Sequence, residues 1–249
     1  MNSTLYQVGL QIFQKITFMM KATLLAYWQF LKYPHLLRIS SSKKDLKNDF
    51  IALLILDFLF ATLVMGIFYT LLSLKLIREY EEADMFEWGL PVALLLGGVL
   101  APVIEECIFR WQLGKPGLSI YFVMLSLIFS MFWFTENDYV LFCGAVILLV
   151  VALVFHALMN RLSGRRASRA WRRYFIFLFY FTAIIFGLVH ITNAKGLTFA
   201  DPSFLLYVSS QIFGGLSMGY IRLKYGLPYS MLFHTCFNLI AIPIAWLLR

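Results

Sequence analysis

Glu105, Glu106 and Arg110 stand at the end of a long apolar run, in the stretch Ala101-Pro-Val-Ile-Glu-Glu-Cys-Ile-Phe-Arg110. Ionisable side chains inside a bilayer are costly and face a protein interior or a water-filled cavity, so by default they mark a functional site. On a helix, residues four apart share a face and neighbours point about 100° apart, so Glu106 can pair with Arg110 across one turn. Glu105 is then turned away and must find a partner elsewhere, which makes it the carboxylate available for chemistry. Two more apolar runs carry polar groups four residues apart. They are Phe186-Gly-Leu-Val-His190, with Asn193 close by, and His234-Thr-Cys-Phe-Asn238. A lone histidine in a helix bundle is more often a hydrogen-bonded packing residue, but three such clusters in one chain are harder to dismiss. A carboxylate, two histidines and an amide can supply what amide hydrolysis needs: a base for water, an acid for the leaving amine and donors for the oxyanion.

These residues must be positioned by helices in a membrane. Of the 249 residues 61% are apolar, and the mean hydropathy is +0.79, a composition outside the range of soluble domains. Apolar runs of about twenty residues, each able to cross ~30 Å of hydrocarbon as a helix, recur at 51–73, 89–110, 117–135, 139–160, 174–193, 203–222 and 227–248. The expected fold is an all-α polytopic membrane bundle of about seven transmembrane helices. Residues 1–49 form an N-terminal amphipathic or interfacial segment, or an additional membrane helix, followed by a basic connection. Residues 50–249 form one helical domain. The three cysteines, Cys107, Cys143 and Cys236, lie inside apolar runs at no metal-ligand spacing and read as buried thiols.

The net charge of +8 does not point to nucleic acid, because the positive residues sit in short connections between apolar runs, where they set membrane orientation. Arg38 to Lys47, the Lys115 turn, the loop from Arg161 to Arg173 and the Arg222/Lys224 turn are basic. The alternate connections carry Glu79, Glu81, Glu82, Asp84 and Glu87, then Glu136 and Asp138, then Asp201. The positive-inside rule therefore expects the basic side to be cytoplasmic and the C-terminus external. Asp57 reads as a structural partner for another helix, His156 as an interfacial histidine, and Gly215 with Gly219 as a close-packing signal. Read by position along its run, His190 falls near the outer end, whereas Glu105 and His234 lie nearer the cytoplasmic side.

Glu105-Glu106-x-x-x-Arg110, Phe186-x-x-x-His190 and His234-x-x-x-Asn238, in that order in separate apolar helices, resemble the three signature motifs of the CAAX-protease and bacteriocin-processing (CPBP) family of intramembrane proteases. The Ala-Pro before the glutamates and the Phe before the arginine match as well. Trp111 follows the arginine where a glycine is usual, and residues 117–160 read as a two-helix insertion between the first and second motifs. The resemblance implies an intramembrane endopeptidase in a bacterial cytoplasmic membrane, acting on a peptide or membrane-protein substrate. It implies that Glu105 and His190 activate water, that His234 and Asn238 stabilise the oxyanion, and that Glu106 and Arg110 hold the site. No cofactor is required on this reading.

Two other readings are compatible with the residues. Glu105, His190 and His234 could form a two-histidine, one-carboxylate zinc set with an open water position, although no HExxH occurs in the chain. The polar clusters could also be structural glue in a non-catalytic scaffold or immunity protein, which would need the Glu106–Arg110 pair but would have no use for Glu105, His190, His234 and Asn238 together.

Overall fold

A computed structural model of the chain describes residues 3–82, 84–131, 137–161 and 164–248; Glu136 lies outside them. The architecture is all-α. In chain order the helices are α1 (Ser3–Lys32), α2 (Lys43–Ser73), α3 (Leu90–Ala93), α4 (Ala101–Phe109), α5 (Pro116–Met131), α6 (Asp138–Arg161), α7 (Gly164–Val189), α8 (Phe204–Tyr225) and α9 (Leu227–Leu247). A π-helical segment, Leu94–Leu100, joins α3 to α4 into one span, Leu90–Phe109. Six helices among the described residues are long and apolar enough to cross a membrane. The 117–135 run contributes the shorter α5, whose 16 residues reach about 24 Å at 1.5 Å per residue.

Several elements differ from the expected limits. α2 begins eight residues before its apolar run, because the Ser42 side chain caps it by accepting from the Asp45 N–H at 3.2 Å, satisfying one of the orphan donors of the first turn. The basic stretch read as a loop from Arg161 to Arg173 is helical from Gly164 onward, forming the first turns of α7. Arginine and alanine are strong helix formers, so the helix extends past its apolar segment. The cysteines are free, but Cys107 and Cys143 are exposed on the bundle exterior and Cys236 is half-buried. Cys107 and Cys143 thus lie on helix faces turned away from the protein core.

α7 and α8 pack against each other and form the spine of the bundle. A Cβ at Gly215 would lie 3.2 Å from the Ala183 backbone, and one at Gly219 would lie 2.8 Å from the Phe179 ring, so the two glycines bring these helices into close contact. Asp57 of α2 accepts from Ser217 Oγ at 2.7 Å, and Ser217 meets the Tyr27 hydroxyl at 3.2 Å. The acid thus does tie helices together, and it draws α1 into the bundle. A second knot stands near the start of α2, where Asp49 accepts from Thr23 Oγ1 (2.8 Å), Lys224 Nζ (2.6 Å) and the Tyr225 hydroxyl (2.7 Å).

At the opposite end, β1 (Glu81–Glu82) pairs antiparallel with β2 (Ala194–Lys195). Arg78 donates to Gly196 O at 3.0 Å and pairs with Asp201 at 3.0 Å, and the Tyr80 and Ser203 hydroxyls meet at 2.6 Å. The Thr198 N–H and hydroxyl, with Arg78, hold the Asp201 carboxyl below the usual carboxylate range, so this clasp keeps its ion pair at neutral pH. The clasp joins the α2–α3 connection to the segment that follows His190.

Candidate active site

The span carrying the two glutamates is not a uniform α-helix, and the reason lies in its sequence. The Ala101 N–H donates to Leu96 O, five residues back. In that register the next residue would donate to Gly97 O, but it is Pro102, which has no N–H. The Gly97 carbonyl is thus released from the helix, and Asn238 Nδ2 of α9 donates to it at 2.8 Å. Pro102 lies in the first turn of α4, directly after the π-helical segment.

α4 then presents its acidic pair to two different neighbours. Glu106 is fully buried; its Oε2 accepts from Ser230 Oγ of α9 at 2.6 Å, and its Oε1 lies 3.6 Å from Arg110 Nε. Arg110 is also fully buried, with its guanidinium 4.1 Å from the centroid of the Phe186 ring, a cation–π placement. Gly215 makes room for it, since a Cβ there would lie 3.3 Å from Arg110 Nη2. Glu105 points elsewhere, as the helical spacing requires, and its side chain retains 29% exposure against 0% for Glu106. That difference makes Glu105 the carboxylate a substrate can reach.

His234 joins the two glutamates. Its Nδ1 is 3.4 Å from Glu106 Oε1 and its Nε2 is 3.7 Å from Glu105 Oε2; both contacts are longer than a well-aligned hydrogen bond. Ser230 and His234 are four residues apart on α9 and reach the same carboxylate. The three motifs do not include Ser230; its i, i+4 relation to His234 is the signal that places it on the shared face.

His190 opens a 3-10 turn, His190–Asn193, at the end of α7. Its Nδ1 lies 2.7 Å from Phe186 O. A carbonyl can only accept, so Nδ1 carries the proton and the neutral ring keeps its lone pair on Nε2. The Phe186 ring touches Arg110 and both histidines: its centroid is 4.8 Å from that of His190 and 5.7 Å from that of His234, in addition to the Arg110 contact. His190 stands within electrostatic reach of Glu105, His234 and Arg110. Phe186, one turn before His190, is the residue held against α4 and α9, through Phe109, Arg110 and His234. Asn193 remains exposed in the turn.

Glu105, Glu106, Arg110, His190 and His234 therefore come together, and Asn238 of α9 is bonded to the π-helical segment that leads into α4. A family model described as type II CAAX prenyl endopeptidase Rce1-like matches residues 87–240, which contain all three motifs. The chain belongs to the Rce1-like CAAX prenyl endopeptidase family. It is a family of peptidases, and this member is a helical, multi-pass membrane protein. No curated protein and no solved structure matches the chain. Among the described residues, no three His, Cys, Asp or Glu side chains come close enough together to hold a metal ion, so the Glu105, His190 and His234 set does not form a ligand cluster in this geometry.

Proposed function

We propose that the protein is an intramembrane endopeptidase in which Glu105 activates water for attack on a peptide bond. The observation that carries this reading is the position of His234, with one ring nitrogen against Glu106 and the other against Glu105, so that residues from the first and third motifs meet at the accessible carboxylate. Glu105 accepts a proton from water while the water oxygen bonds to the carbonyl carbon. Nε2 of His190 accepts a hydrogen bond from the same water. The carbonyl oxygen, becoming negative, takes hydrogen bonds from His234 and from the second N–H of the Asn238 amide, the first being committed to Gly97 O. The C–N bond breaks as the proton held by Glu105 passes to the leaving nitrogen. Glu106 orients His234 and, with Arg110 and Ser230, fixes α4.

The substrate is a peptide or the exposed segment of a membrane protein, and the family description adds prenylated CAAX peptides as candidates. The test is cleavage of a peptide set, prenylated and unprenylated, by the purified protein in lipid nanodiscs. Glu105→Gln removes the proton acceptor at nearly constant volume and should lower turnover by about 10²–10⁴-fold, the usual cost of losing a general base, with no change in thermal unfolding. Wild-type activity in Glu105→Gln would remove Glu105 from the mechanism. Loss of activity with a chelator and its return with zinc would replace this mechanism with the metal reading.

A further inference from the structure

The C-terminal end of α4 is held by a contact from outside the three motifs. The last carbonyls of a helix have no partner within it and must be satisfied by side chains, by a tightened turn or by solvent. At Phe109 the donor is Gln112, whose Nε2 reaches Phe109 O at 2.6 Å from the adjoining 3-10 turn, Trp111–Gly114. Arg110 O accepts the Leu113 N–H of the same turn at 3.3 Å and takes a second donor from a different helix: Arg222 Nε of α8 donates to it at 3.1 Å. A guanidinium at this position also complements the negative end of the helix dipole.

Gly114 gives this arginine its room. A Cβ on Gly114 would lie 2.3 Å from Arg222 Nη2 and 3.2 Å from its Cζ, so any larger side chain displaces the guanidinium. Arg222 therefore lies across the 3-10 turn while its Nε caps the helix. Charge alone would assign Arg222 to membrane orientation, as part of a basic turn. Orientation needs only a positive charge near the surface, whereas this contact needs a planar group with a donor at Nε and a glycine opposite.

We propose that Arg222, seated over Gly114, is a positioning residue for the candidate active site: it anchors the end of α4 to α8 and so sets where Glu105 and Glu106 stand relative to His234 and His190. α8 also accommodates Arg110 through Gly215, so α4 is fixed to the same helix at two points: from within by the Arg110 guanidinium, and at its terminus by Arg222. The catalytic part of this inference rests on the role proposed for Glu105; the contact between residues 114 and 222 does not.

Two measurements separate these parts. The first is activity in Arg222→Lys, which keeps the charge and the topology but has no donor equivalent to Nε and no planar group. Misplacing a reacting group by about 1 Å can cost on the order of 10²-fold, so kcat should fall by about ten- to a hundred-fold with KM within twofold of wild type. A fully active Arg222→Lys would overturn the positioning role and leave Arg222 as a topogenic charge. The second is a double-mutant cycle in thermal unfolding of Gly114→Ala and Arg222→Ala, both measured in nanodiscs. Residues in contact show coupling that distant ones lack, so Gly114→Ala should lower the Tm of the wild type and leave that of Arg222→Ala unchanged. Equal effects of Gly114→Ala in both backgrounds would overturn the contact. If Arg222→Ala does not fold, the same cycle is run on Arg222→Lys, with the same two outcomes. Coupling in unfolding together with a wild-type rate in Glu105→Gln would mean that the anchor exists and that the role given to Glu105 is the part in error.

Discussion

Two adjacent glutamates with the same chemistry end in opposite environments because neighbouring positions on a helix point in different directions. Glu106 faces Arg110 and Ser230 in a fully buried setting, and Glu105 faces His234 and open space. Their substitutions should therefore fail differently. Glu106→Gln leaves Arg110 as a buried charge without a counter-ion, and breaking a buried pair in this way costs about 3–5 kcal/mol. Its thermal unfolding midpoint should drop well below that of Glu105→Gln, and its activity should fall both with the unfolded fraction and through the loss of the carboxylate that orients His234. A Glu106→Gln protein as stable as wild type would show that Arg110 is neutralised by another group.

At the scale of the element, the π-helical segment before α4 links the motifs to one another. Pro102 withholds the donor that the five-residue register assigns to Gly97 O, and Asn238 supplies it from α9. Asn238 therefore combines a structural bond with its proposed catalytic one. Asn238→Ala should lose about 10²–10³ in kcat, the usual cost of one oxyanion donor, and should also lose about 1 kcal/mol of stability from the hydrogen bond to the half-buried Gly97 carbonyl. Pro102→Ala restores an N–H at the position that needs one. In the double variant Pro102→Ala/Asn238→Ala, thermal unfolding should recover towards wild type while activity stays low. Recovery of neither, or of both together, would contradict the two-part role.

Across the whole molecule, the contacts sort the connections into two ends. Asp49 with Lys224 and Tyr225, and Arg222 with Arg110, bring together the basic connections before α2, after α4 and between α8 and α9. The clasp of Arg78 with Asp201 and of β1 with β2 brings together the acidic connections before α3 and before α8. For these five connections the contacts make the same division as the charges along the chain. We propose that the basic end is cytoplasmic; a reporter fused after Arg249 should then be external and one inserted after Arg161 cytoplasmic, and the reverse pattern would overturn the orientation. α5 and α6, the two-helix insertion proposed for residues 117–160, stand to one side of the glutamate and histidine cluster. α6 buries little beyond Ala152 and Met159, and α5 reaches the bundle through Ser119, whose hydroxyl meets that of Tyr174 at 2.8 Å.

The helical membrane fold, the pairing of Glu106 with Arg110 and the availability of Glu105 were legible in the sequence because each depends on local periodicity, charge and run length, which the chain carries from residue to residue. The motifs also identified which helices had to meet. Tertiary structure alone decided how they meet, since the register between antiparallel helices depends on where small residues allow close approach, as at Gly215 and Gly219, and no local pattern records it. For the same reason the placement of Phe186 between Arg110 and both histidines and the seating of Arg222 over Gly114 could not be read from the chain. Each is a contact between residues distant in sequence, made possible by space that other helices leave open.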